Sequence, residues 1–233
     1  MLKIGLVGSN GFLGSAFSRI SHNFDYNIIN ITRKNFEQFK NDNFDVLINA
    51  ATPSKKFWAS NNPYLDFQAT VNLTADLVYN WNYEKFIQIS TISVNDYKSK
   101  HPYAINRKSA EIISSYKKSL IVRLSNLYGI GLNKGPLYDL LINKKTFVDI
   151  DSEYSFINTD FVANWILKNL NKMGIVEIGA SDTISLREIA LQMNIQVSYE
   201  GKLEKIFSQN LESDMPNCAD IWNFINKFLI TKN

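Results

Sequence analysis

Cysteine is almost absent. A single one, Cys218, occurs in 233 residues, so no internal disulfide can form and the composition suits a reducing compartment. Histidine is nearly as scarce. His22 and His101 stand at no metal-ligand spacing and no cysteine pair accompanies them, so no metal site is expected. No apolar run approaches the roughly 20 residues needed to cross a bilayer. The apolar start after Lys3 is broken at Gly8-Ser9-Asn10-Gly11, too early for a secretion signal. A cytoplasmic protein is therefore expected. Charge of one sign is also missing: the net value is +3, and Lys117-Lys118 and Lys144-Lys145 read as solvated pairs, so neither nucleic acid nor membrane is expected as a partner. There is no G-x-S-x-G elbow and no Walker lysine, which removes the common hydrolase and NTPase readings.

What is present begins at the N-terminus. Residues 3–14, KIGLVGSNGFLG, place a short apolar strand before three glycines spaced G-x-x-G-x-x-G, followed by an apolar-faced segment. Gly8 permits a sharp turn, Gly11 lets backbone approach a pyrophosphate, and Gly14 lets a helix pack closely on the strand. The unpaired N–H groups and dipole of the helix start then face phosphate. Further along, apolar runs at 3–8, 27–31, 45–50, 85–90, 119–124 and 175–179 alternate with helical patterns near 12–22, 34–41, 64–81, 102–117 and 160–171. That alternation predicts an α/β chain, a Rossmann-type doubly wound parallel sheet with a small C-terminal substrate lobe. The expected core is 1–125, completed by about 158–180. The less regular stretches 126–157 and 181–233 are expected to form the lobe over the carboxyl ends of the strands.

The second strand bears on the cofactor. No carboxylate lies between Asp25 and Glu37 to take an adenosine ribose, whereas Thr32, Arg33 and Lys34 follow the strand. A guanidinium fork suits a 2′-phosphate, which points to NADP(H) rather than NAD(H). The chemistry is expected between residues 85 and 111. A strand ends there at Ser90-Thr91, and Pro102 opens a helix carrying Tyr103 and, one turn on, Arg107. A phenol ionises near pH 10, and a fixed cation nearby draws that value towards neutrality. Tyr103 is thus a candidate general acid/base beside a hydride-transfer step.

With these residues in view, the chain resembles the short-chain dehydrogenase/reductase superfamily, in its extended branch of NAD(P)-dependent nucleotide-sugar epimerases, dehydratases and reductases. The motifs are Gly8-x-x-Gly11-x-x-Gly14, Asn49-Ala50-Ala51, Ser90-Thr91, Tyr103-x-x-x-Arg107-x-x-x-Glu111, Arg123-Leu124-Ser125-Asn126-Leu127-Tyr128-Gly129, and Phe156 to Ala163. The resemblance implies a cofactor lined by Gly8, Asn10, Gly11, Phe12, Leu13, Gly14, Ala50, Ala51, Thr52, Ser90, Tyr103, Arg107 and Leu124, besides the basic turn. It implies that Thr91 bonds the reacting sugar oxygen, that Tyr103 is the general acid/base and that Asn126 meets the substrate. It further implies a small sugar substrate, nucleotide-linked, and a homodimer built on the helices at 64–81 and 102–117.

Two departures stand out. The family has lysine where this chain has Arg107, and Lys108 lies about 100° around the helix. Tyr154 stands where many extended members place an arginine for the nucleotide. Within the family, Ile92-Ser93 after the threonine argues against dehydration, which leaves an NADP(H)-linked reductase, with an NAD-dependent epimerase or dehydratase as the alternative. A non-catalytic dinucleotide sensor is the reading from another class.

Overall fold

The apolar runs become strands of one sheet in the computed structural model, which describes residues 1–208 and 210–232, with side chains for all but 97–99 and 232. The sheet strands are β1 (Leu2–Val7), β2 (Tyr26–Ile31), β3 (Asn43–Asn49), β4 (Asn82–Thr91) and β5 (Ser119–Leu124), and further on β9 (Gly174–Ile178). They lie in the order β2-β1-β3-β4-β5-β9, the doubly wound arrangement expected. The pairs β1–β2, β1–β3, β3–β4 and β4–β5 are all parallel. The chain runs outward from β1 to β2 and then returns to the opposite side of β1 at β3. A ligand crevice opens at such a reversal, outside the carboxyl ends of the strands.

The chain divides into two compact units, residues 1–124 with 160–176, and residues 125–159 with 177–233. In the first, α1 (Gly14–Ile20) follows β1, and α2 (Lys56–Asn61) follows β3. A longer rod then comprises α3 (Pro63–Phe67), a π-helical turn at Gln68–Asn72 and α4 (Leu73–Asn80). Next comes α5 (Pro102–Ser114), on the flank of β4.

One expected helix is missing. The segment at 34–41 forms only a 3-10 turn at Glu37–Phe39. Its apolar residues stop at Phe36 and Phe39, enough for one turn against the core, and Asn41-Asp42-Asn43 supply no further apolar position. Phe36 packs its ring 4.8 Å from that of Trp81, which is itself buried beside Phe44. On the far side of the sheet the Lys85 ammonium is buried and bonds the carbonyls of Leu170 and Lys172. Burial and the nearby Lys118 lower its pKa.

The second unit is more regular than its sequence suggests. It contains β6 (Asn126–Tyr128), α6 (Pro136–Leu141), β7 (Glu153–Tyr154) and β8 (Phe156–Asn158). After α7 (Thr159–Lys168) and β9 come β10 (Ile184–Ser185), α8 (Leu186–Gln192), β11 (Lys205–Ile206) and α9 (Asp220–Lys232). Helix α8 starts in a capping box, with the Glu188 N–H donating to Ser185 Oγ and the Ser185 N–H donating to Glu188. Helix α9 turns Ile221 and Ile225 into a core with Tyr128, Leu140 and Tyr154. Cys218 joins that core, where burial pushes its thiol up to about 12. Tyr154, the residue at the family's arginine position, is fully buried and donates to Glu204 at 2.9 Å.

Candidate active site

The first unit gathers its polar features at the carboxyl ends of its strands. Gly8 has φ +86°, and a Cβ there would stand 2.6 Å from Ala51 Cα, so backbone meets backbone where the β1 and β3 loops touch. Gly14 is equally constrained, because its Cβ would overlap the Gly8 carbonyl. Gly11 differs. It is exposed, lacks a left-handed backbone, and its Cβ would meet Gly8 O at 3.0 Å and Ala50 O at 3.9 Å. The Gly11 N–H is already spent on Gly8 O at 2.8 Å, and the Ser15 N–H on Gly11 O. The N–H groups of Phe12 and Leu13 make no hydrogen bond among the described residues. Two unpaired donors beside an open glycine form a cradle that fits a pyrophosphate. Asn10 is exposed on the same turn, and Leu13 is buried beneath it.

The β3 loop supplies the facing wall. The Ala50 N–H donates to Val7 O at 2.9 Å, and the Ala51 N–H to Asn49 Oδ1 at 3.2 Å. Asn49 itself is fully buried and donates to Gln88 and Thr74 under the loop. Thr52 follows, half-buried.

At the end of β2, Arg33 and Lys34 are exposed, and their side chains make no hydrogen bond or ion pair among the described residues. The Thr32 hydroxyl is engaged: it donates to Asn35 Oδ1 at 3.0 Å and accepts from the Lys34 N–H at 3.3 Å.

Helix α5 begins at His101, whose Nδ1 accepts the Tyr103 N–H at 3.2 Å. Its Nε2 therefore carries the proton that faces Ser60 Oγ at 2.9 Å, so the imidazole caps the helix. Tyr103 is buried and its hydroxyl makes no hydrogen bond among the described residues. Thr91, at the end of β4, accepts the Ser93 N–H at 3.2 Å, which leaves its own proton for another acceptor. Ser90 is committed inward, donating to Glu111 at 2.7 Å. Glu111 also accepts two bonds from the Arg123 guanidinium, at 2.9 and 2.8 Å. Leu124 pairs in register with Thr91 and is buried.

Arg107 has an arrangement that sequence alone does not show. Its guanidinium is 2% exposed and is paired with Asp66, 0% exposed, at 3.4 Å. It donates as well to Thr70 Oγ1, in the π-helical turn, and to the Pro53 carbonyl, next to Thr52. Its central carbon lies 4.4 Å from the centre of the Tyr103 ring. Asn106 completes the cluster by donating to the other Asp66 oxygen at 2.8 Å. Arg107 thus ties α5, the rod at 63–80 and the β3 loop together, with the Tyr103 ring on its face. Lys108 turns elsewhere, 3.5 Å from Glu111.

Asn126 belongs to the second unit, where it pairs with Phe156 across β6 and β8. That unit has its own cleft of about 440 Å³ beside Glu153, Asp182, Lys205 and Phe207. Its charged groups already have partners: Glu153 takes Lys205 at 2.9 Å and Thr183 at 3.3 Å, and Asp182 takes the Cys218 N–H at 2.6 Å.

No family model and no curated protein sequence matches the chain. Solved structures do. A UDP-N-acetylglucosamine 4-epimerase from Methanobrevibacter ruminantium superposes with a TM-score of 0.79 at 13% identity, over 100% of this chain and 99% of that one. A dTDP-4-dehydrorhamnose reductase from Bacillus anthracis, in complex with NADP, gives 0.75 at 15% identity over 100% of both chains. A reductase of the same name from Clostridium acetobutylicum gives 0.71 at 19% identity, over 86% of this chain and 84% of that one. The chain has the Rossmann-type fold of these reductases and epimerases. Within that fold, the Arg107–Asp66–Thr70 cluster is the part of the site that the sequence did not disclose. Its members are separated by up to 41 positions, and no local pattern joins them.

Proposed function

We propose that this chain is an NADP(H)-dependent reductase of a keto group on a nucleotide-linked sugar. The observation that carries the reading is the contact chain from the glycine turn through Ala51 and Pro53 to Arg107 and the Tyr103 ring, which joins a phosphate cradle to a proton donor within one unit. The Phe12 and Leu13 N–H groups fit the pyrophosphate, and the free Arg33 and Lys34 cations fit a 2′-phosphate. A dihydronicotinamide held by these residues would supply the hydride. Tyr103 gives its hydroxyl proton to the sugar oxygen as the carbonyl becomes an alcohol, and the Thr91 hydroxyl, anchored through Ser93, donates a hydrogen bond to the same oxygen. Asn126 is assigned to the substrate.

An epimerase reading stays open beside this one, since the solved neighbours carry both names. The sensor reading draws on a different observation: the guanidinium of Arg107 is consumed by Asp66, Thr70 and Pro53 O. Replacing Tyr103 by phenylalanine separates them. With NADPH and a set of nucleoside-diphosphate keto-sugars, Tyr103→Phe is expected to lower kcat by at least about 100-fold while the Kd for NADPH stays within about twofold. Undiminished turnover removes Tyr103 from the chemistry, and a wild type that binds NADPH but reduces nothing favours the sensor.

We further propose that two copies associate through the rod at 63–80 and α5. Val71, Leu77 and Val78 are consumed by the core, but Tyr64, Leu65, Tyr79, Ile105, Tyr116 and Ile112, the last 65% exposed, are left facing outward. Sedimentation is expected to give twice the chain mass and Ile112→Lys a monomer; a wild-type monomer at micromolar concentration refutes this.

A further inference from the structure

We propose that Asn35 is a specificity-positioning residue, one that sets the preference for a 2′-phosphate by fixing the turn that carries Arg33 and Lys34. The inference rests on the NADP(H) reading above. Three observations carry it. First, the Asn35 amide holds the turn at both ends: Oδ1 accepts the Thr32 N–H at 2.6 Å and the Thr32 hydroxyl at 3.0 Å, and Nδ2 donates to Asn30 O at 3.1 Å. The Thr32 N–H can only donate, so the orientation of the amide is fixed by its partners. Second, the Thr32 hydroxyl gives its proton to Asn35 and its lone pair to the Lys34 N–H, so it has no donor left for an anion. A phosphate here is recognised by the Arg33 fork and the Lys34 ammonium. Third, these two side chains are exposed and make no bond among the described residues that would aim them. Their direction is set by the backbone between Thr32 and Asn35, which closes with the Asn35 N–H on Thr32 O at 3.3 Å. Two flexible cations lose less freedom on binding when the backbone beneath them is already in place.

Adenosine 2′,5′-bisphosphate and adenosine 5′-monophosphate separate this role from general stability, because they differ only at the group in question. The wild type is expected to bind the bisphosphate at least tenfold more tightly, and Arg33→Ala to abolish that preference. Asn35→Ala is expected to reduce the preference about tenfold with monophosphate affinity unchanged, and Asn35→Ser, which retains a hydroxyl acceptor, to fall between. Thermal unfolding of each variant checks that the fold is retained. If Asn35→Ala keeps the wild-type preference while Arg33→Ala loses it, the assignment of Asn35 is overturned and the NADP(H) reading stands. Equal weakening of both nucleotides by Asn35→Ala also overturns it, as a merely structural effect. If the wild type does not discriminate, the NADP(H) reading falls and the role of Asn35 falls with it.

Discussion

Asp66→Ala is expected to cost about 3–5 kcal/mol of stability, because it leaves a guanidinium buried with no counter-charge. The pair is closed to water on both sides, Arg107 being 2% and Asp66 0% exposed, so solvent cannot take over the lost partner. Arg107→Met is expected to cost a similar amount. It strands the Asp66 carboxylate with Asn106 alone and removes the donors to Thr70 and the Pro53 carbonyl. The double variant is expected to lose clearly less than the sum of the two, since neither charge is then orphaned. Urea unfolding of the four proteins gives the coupling directly, and additive losses would show that the pair contributes nothing as a pair. Arg107→Met also frees the β3 loop at Pro53, so weaker NADPH binding than in Asp66→Ala is expected to accompany its loss of stability.

The glycine turn gives the second large effect, and it separates three residues that look alike in sequence. A methyl on Gly14 meets the Gly8 carbonyl, with Gly8 C at 2.8 Å and Ser9 Cα at 2.9 Å behind it. All three atoms are backbone, so no rotamer change relieves the overlap. Gly14→Ala is expected to cost about 1–3 kcal/mol and to displace the turn proposed to cradle phosphate. Gly8→Ala adds the strain of an L-residue at φ +86° to a collision with Ala51. Gly11→Ala is expected to lower the unfolding midpoint less than the other two, its Cβ meeting Gly8 O at 3.0 Å, while weakening dinucleotide binding at least tenfold, about 1.4 kcal/mol, by crowding the turn proposed to hold the pyrophosphate. Parallel urea unfolding and NADPH titration distinguish the cases. A Gly11→Ala protein that binds as tightly as wild type would remove this turn from the cofactor site.

Local pattern made the sheet readable. Each of the six strands is a short apolar run bounded by turn residues, and the Pro102 helix start and the glycine spacing lie within a dozen residues of their strands. The segment at 34–41 misled because two phenylalanines three apart satisfy a single turn as well as a helix. Helices α8 and α9 carry local signals within the less regular stretch 181–233. Ser185-Leu-Arg-Glu188 is a capping box, and Ile221, Phe224, Ile225 and Phe228 recur at helical spacing. The Arg107 cluster was not legible. Asp66 and Thr70 look like ordinary polar positions on an amphipathic helix until the fold brings a cation to them from 41 and 37 residues away.

The division of the chain has a consequence for its synthesis. The first unit is interrupted after Leu124 and resumes at Asp160, so its last pieces leave the ribosome after the start of the second unit. Until they emerge, Arg19 lacks Asp160, the Tyr26 hydroxyl lacks Leu167 O, and the Lys85 ammonium lacks both of its carbonyls. Strand β5 meanwhile presents an unpaired edge where β9 will lie. A nascent chain halted at Leu124 would hold the whole glycine turn, Tyr103 and five of the six strands yet keep an aggregation-prone open edge, which makes Val176 the earliest point at which this unit can close during translation.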